Sequence, residues 1–218
     1  MLITVLEEIR LYHDRWEHVE IQATEYALRT LLKGRMPMLR SLSMDMEDDG
    51  STRPRVDPLD FPRLRTVSLN WFQYPVDWLP WGQVTSLTID DMSSVNYMPI
   101  LRDAIHLVDL TFIDCRFSNA ESPADIPLTR VTSLVMLASD VQIFGVISTP
   151  ALQTLQISGE KLGNDPIGTL GRLISRSGFK LQRLLITGHR SPLATNRVFR
   201  TAFPTIPLIT FNNSIRSD

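Results

Sequence analysis

Three apolar positions, the second following the first by three residues and the third by five, recur nine times along this 218-residue chain. The sets are Trp16/Val19/Ile21, Leu39/Leu42/Met44, Leu64/Val67/Leu69, Val84/Leu87/Ile89, Leu107/Leu110/Phe112, Val131/Leu134/Met136, Leu152/Leu155/Ile157, Leu181/Leu184/Ile186 and Ile206/Ile209/Phe211. Their first members lie 23, 25, 20, 23, 24, 21, 29 and 25 residues apart. Around the central set the same four residues stand at both neighbouring distances, as Val84-Thr85-Ser86-Leu87 and Val131-Thr132-Ser133-Leu134. Each copy follows an aliphatic-Pro pair, Leu79-Pro80 and Ile126-Pro127. A short unit repeated at this period cannot bury its apolar face alone. It must stack on its neighbours, and that requirement leaves few folds open.

The stretch from Leu107 to Phe117 reads L-x-x-L-x-L-x-x-C-x-L with Phe replacing Leu twice, the leucine-rich-repeat consensus. The expected fold is therefore α/β, a single leucine-rich-repeat solenoid over residues 1–218 with strands starting near 16, 39, 64, 84, 107, 131, 152, 181 and 206. Nine parallel strands would form a curved sheet on the order of 40 Å long on the concave side. Positions one, four and six of each repeat should face the core, and positions three, five and seven should face outward. Pro37, Pro62, Pro150 and Pro204 each stand two residues before a first position and are expected to start the strand in extended form.

The convex returns should mix short helices and loops. Residues 1–15 read as an N-terminal helix, with Val5, Leu6 and Ile9 on one face between Ile3 and His13. Thr24 to Leu32 is helical by pattern, with Ala27, Leu28, Leu31 and Leu32 inward. Shorter helices are expected at Asn96 to Ile105 and Val141 to Ile147. Asp165-Pro166 offers an N-cap followed by proline at the first helical position, Leu170, Leu173 and Ile174 follow, and Gly178 stands at the stop. Ser191-Pro192 repeats that start before Val198, Phe199 and Ala202. Asp45 to Arg63 and Arg116 to Thr129 are rich in Pro, Ser and Asp and read as loops.

Little in the chain points to catalysis, a metal or a cofactor. Asp45-x-Glu47-x-Asp49-Gly50 starts like a calcium loop, but position 12 is Val56 rather than glutamate, and Pro54 interrupts it. Gly163-x-x-x-x-Gly168-Thr169 lacks the lysine of a phosphate loop. Cys115, the only cysteine, falls at the ninth repeat position and is expected to pack inward as a structural thiol. Histidines 13, 18, 106 and 189 have no acid or nucleophile at a recognisable spacing. Trp71, Phe72, Tyr74, Trp78 and Trp81 crowd one return and are expected to pack over the core. The expected activity is non-enzymatic, with no cofactor. The first eight residues lack a signal peptide's basic start, no apolar run is long enough to span a membrane, and the lone cysteine fits a reducing compartment. The expected location is intracellular, cytoplasmic or nuclear.

The net charge of −2 hides an asymmetry. Residues 1–165 hold 14 Lys/Arg against 23 Asp/Glu, while residues 166–217 hold eight bases and no acid. Candidate partner-binding residues follow from the outward positions, Ser86, Thr88, Asp90, Asp109, Thr111 and Arg183, and from the basic returns, Arg172, Arg176 and Arg190. Arg172 and Arg176, four apart, should share a helix face and repel. The expected partner is a protein substrate or peptide, acidic or phosphorylated, docking at the basic end. Nucleic acid ranks below it, since few aromatics are interleaved with these bases.

Several longer segments resemble the repeat region of the F-box protein family of mushroom-forming fungi. They are Asp14-Arg15-Trp16-Glu17-His18-Val19, Met36-Pro37-Met38-Leu39-Arg40-Ser41-Leu42, Leu79-Pro80-Trp81-Gly82-Gln83-Val84-Thr85-Ser86-Leu87, Thr149-Pro150-Ala151-Leu152, and Ile174-Ser175-Arg176-Ser177-Gly178 with Leu181-Gln182. The resemblance implies a substrate-recognition part of a ubiquitin-ligase adaptor, in which an N-terminal F-box docks on the cullin ligase and the repeats hold the substrate. No Leu-Pro-x-Glu segment of the F-box type precedes Trp16. Cullin-ligase docking is therefore expected only from a longer parent chain.

Overall fold

The second and third members of all nine apolar sets lie on strands, and the first member stands two residues before the strand starts. The computed structural model describes residues 8, 11–47, 60–72, 76–117, 125–178, 180–188 and 193–212. The chain divides into two compact units, Met1–His106 and Leu107–Asp218. The first unit holds β1 (His18–Thr24), α1 (Glu25–Leu32), β2 (Ser41–Glu47), β3 (Thr66–Asn70), β4 (Ser86–Asp90) and α2 (Ser94–Asp103). The second holds β5 (Asp109–Ile113), β6 (Ile126–Pro127), β7 (Ser133–Leu137), β8 (Ile147–Ser148), β9 (Thr154–Ser158), α3 (Pro166–Ser177), β10 (Arg183–Thr187), α4 (Leu193–Ala202) and β11 (Leu208–Asn212). Within the first unit the strands pair in the order β1-β2-β3-β4, all parallel. Within the second the order is β5-β7-β9-β10-β11, again all parallel, while β6 and β8 pair separately on the return side. The chain is thus α/β, built on parallel strands with few helices.

Register carries the repeat through both units. Val19, Leu42, Val67 and Leu87 lie side by side, as do Leu110, Leu134, Leu155, Leu184 and Ile209. These positions and their partners two residues on face the core, and from Leu42 to Leu184 each is essentially inaccessible to water. Burying one such leucine stabilises the fold by roughly 1.5–3 kcal/mol. A one-residue slip would turn the whole set to solvent, so the register is strongly specified.

The backbone repeats as faithfully as the side chains. The carbonyl of Glu17 accepts from the N–H groups of Arg40 and Ser41, and that of Arg40 accepts from Arg65 and Thr66. Arg65 does the same for Thr85 and Ser86, Val108 for Thr132 and Ser133, and Gln153 for Gln182 and Arg183. Ahead of the strands the chain turns tightly: the Leu39 N–H donates to Met36, Leu64 to Phe61, Leu152 to Thr149 and Ile206 to Phe203. Pro37, Pro62, Pro150 and Pro204 are the second residues of these turns, where a fixed φ is an advantage. They close a turn rather than open an extended strand, a correction to the expectation from proline alone.

The helical returns fall near their expected places. Leu28, Leu31 and Leu32 of α1 are buried, although Thr24 belongs to β1, and α2 starts two residues early, at Ser94. Val141–Gly145 forms a 3-10 turn capped by Asp140, which accepts from the Gln142 N–H. Asp165 caps α3 by accepting from the Gly168 N–H at 2.9 Å, Pro166 opens the helix, and Gly178 ends it in the left-handed region at φ 65°. One expectation is corrected: Val198 of α4 is 54% exposed and Ala202 is exposed too, while Phe199 is buried with its ring edge-on to Phe211 at 5.5 Å. Ile206 and Ile209 of the last repeat are buried. Most of the expected N-terminal helix and most of the acidic loop after Glu47 lie outside the described residues; His13–Arg15, at the end of the expected helix, form a 3-10 turn.

Candidate functional site

Alternation along each strand leaves an outward face on both units. On β2, β3 and β4 this face reads in three rows: Ser41, Thr66, Ser86, then Ser43, Ser68, Thr88, then Asp45, Asn70, Asp90. Six of these nine residues carry a hydroxyl and none is apolar. The expected residues Ser86, Thr88 and Asp90 stand at one side of that field, half-exposed.

The outward face of the second unit differs. Its rows run Asp109, Ser133, Thr154, Arg183, Leu208, then Thr111, Val135, Gln156, Leu185, Thr210. The third holds Ile113, Leu137, Ser158, Thr187 and Asn212. Asp109 and Arg183 are exposed and Thr111 is half-exposed. Asp109 and Arg183 share a row but are three strands apart, about 14 Å at the usual strand spacing. They bracket the face without touching each other.

The basic returns do not converge on this face. Arg172 and Arg176 are exposed on α3, whose Leu170 and Leu173 enter the core on the side opposite the outward rows. Arg176 pairs with Asp125 at 3.1 Å, an acid outside the basic segment, and Arg172 donates to the Thr169 hydroxyl at 3.3 Å. Arg190 lies outside the described residues. A strong anion site would need several of these guanidiniums aimed at one point, and Arg183, Arg172 and Arg176 are aimed at different ones.

Cys115 is buried, with its thiol donating to the Ile113 carbonyl at 3.3 Å, as its repeat position implied. Its N–H donates to the Ser139 hydroxyl at 3.1 Å, and that hydroxyl donates to the Leu137 carbonyl at 3.0 Å. This geometry ties one repeat to the next. Among the described residues no group of three His, Cys, Asp or Glu side chains gathers around a point that could hold a metal. No described helix is long and apolar enough to cross a membrane.

The aromatic cluster divides. Phe72 and Trp81 are core residues, with the Trp81 indole N–H donating to the Val76 carbonyl, and Trp78 is half-buried. Tyr74 lies outside the described residues. Trp71 instead is 52% exposed and holds a left-handed backbone at φ 63°. Asp91, Asp114, Ala138 and Gly188 share that conformation at the same repeat position, just past the strand. Glycine or aspartate there was the available signal, diluted by the Trp and Ala copies. Comparisons with models of protein families, with curated proteins and with solved structures find no match for this chain.

Proposed function

We propose that this chain is a repeat scaffold for protein recognition, non-enzymatic, with its partner held on the outward face of the parallel strands. The single observation that carries the reading is the register: residues alternate between core and surface on strand after strand, so each repeat delivers three surface side chains at fixed spacing. Such a face is rigid because buried residues alternate with the outward ones along each strand, and rigidity lowers the entropic cost of binding. The repeat length and consensus support the finer reading of that architecture as a leucine-rich-repeat solenoid. The segments around Trp16, Pro37, Trp81, Pro150 and Ser177 extend the proposal to the substrate-recognition portion of an F-box-type ubiquitin-ligase adaptor, acting intracellularly.

Photo-crosslinking tests the scaffold reading. A benzophenone amino acid would replace Ser43, Thr88, Thr111 or Gln156 on the outward rows, or Arg102 and Arg197 on the returns. Discrete crosslinked proteins from the outward positions, absent from the return positions, are expected in lysate of the source cells. Crosslinks confined to the returns, or none from any outward position, would contradict it.

A further inference from the structure

The outward face of β2–β4 has no apolar residue, but that of the second unit has five: Ile113, Val135, Leu137, Leu185 and Leu208. They are not scattered. Ile113 lies beside Leu137 in register, and Val135 precedes Leu137 by one outward position on β7. Leu185 lies in the Val135 row two strands away, with Gln156 between them. Leu208 is 40% exposed and the other four are half-buried, so their apolar surface faces solvent at positions where the first unit places hydroxyls or, in the third row, Asp and Asn. Two apolar groups result, Ile113, Leu137 and Val135 on one side of Gln156 and Leu185 with Leu208 on the other, and apolar surface gathered on one face suits a place where another molecule sits.

The spacing and the charges identify the molecule. Val135 and Leu185 are two strands apart, about 10 Å. An α-helix laid across the strands presents side chains seven residues apart on one face at about that distance, whereas an extended segment reaches it in about three residues and would point the second side chain away. Alongside this row, Asp109 and Arg183 are exposed, three strands and about 14 Å apart. A helix carrying an acid and a base nine or ten residues apart would meet both.

We propose that the β5–β11 face binds an amphipathic helix of a partner protein, with apolar residues seven apart over Val135 and Leu185, an acid at Arg183 and a base at Asp109. This rests on the scaffold reading and names the partner's chemistry. The probe is a displayed library of 12-residue helical peptides, selected on the full chain and then measured individually by fluorescence anisotropy. Selected peptides are expected to share the apolar pair and an acid and a base nine or ten residues apart. V135S and L185S should each weaken binding about fivefold or more. R183E should do likewise, and exchanging the peptide's acid for lysine should restore it, a rescue that general damage to the fold would not allow. Binding unchanged by all three substitutions, or a library without binders, would overturn the proposal. Crosslinking from Ser43 and Thr88 would then show whether the scaffold reading stands without it.

Discussion

Single residues set the geometry at which each strand leaves the sheet. Five described repeats exit through a left-handed residue, and each exit is stitched to the next strand where the pairing is present: Trp71 N–H to Asp90, Asp114 N–H to Leu137, Gly188 N–H to Asn212. Left-handed backbone costs an L-residue about 1–2 kcal/mol, which glycine avoids. Ala138 and Gly188 therefore make a matched pair. Ala138→Gly should raise stability by roughly 0.5 kcal/mol, the relief of strain less the added entropy of the unfolded chain. Gly188→Ala should lower it by about 1 kcal/mol, because an added methyl meets nothing within 4 Å and only the φ of 70° matters. Urea unfolding of both variants measures this; changes of the same sign would contradict a shared left-handed site.

At the scale of elements, capping residues were the best-written signals and loops the worst. Asp165, Pro166 and Gly178 together fix the ends of α3, and each does so for a reason visible in sequence: a side-chain acceptor, a missing N–H and a tolerated positive φ. Asp165→Ala removes the bond to the Gly168 N–H and should cost about 1 kcal/mol. The same loss should be much smaller for Asp165→Asn, which keeps an acceptor oxygen, and thermal melts of the two variants separate the outcomes. Equal destabilisation would mean that the carboxylate charge, not the hydrogen bond, holds the helix start. The partner of Arg176 was not legible. Asp125 lies 51 residues away and is brought near by β6 pairing with β8, a two-residue strand too short to leave a periodic trace. Val198 and Phe199 are both apolar in the sequence, but the helix turns Phe199 toward Phe211 of β11 and leaves Val198 exposed.

At the scale of the molecule, the strands were legible because one requirement repeats: each apolar set must face its neighbours, and nine copies average out the irregular returns. The outward face was legible only by elimination. Its positions follow from the alternation, but the run Leu134 to Leu137 is apolar throughout, so residue type does not distinguish Val135 and Leu137, which face solvent, from Leu134 and Met136, which face the core. The repeat spacing counted from Val131 separates them, and the register with Leu110 and Leu155 agrees with it. The basic C-terminal residues misled for the opposite reason, since counting charges along the chain ignores the direction in which each one leaves it. The alternation is the claim on which the binding face depends, and cysteine scanning tests it directly. In a Cys115→Ala background, single cysteines would replace Thr88, Thr111, Val135 and Gln156, or Leu87, Leu110, Leu134 and Leu155, and maleimide labelling would be followed under native conditions. Rapid labelling is predicted at the first four and protection at the second four until the chain unfolds; similar rates at neighbouring positions such as Leu134 and Val135 would contradict the register and the face built on it.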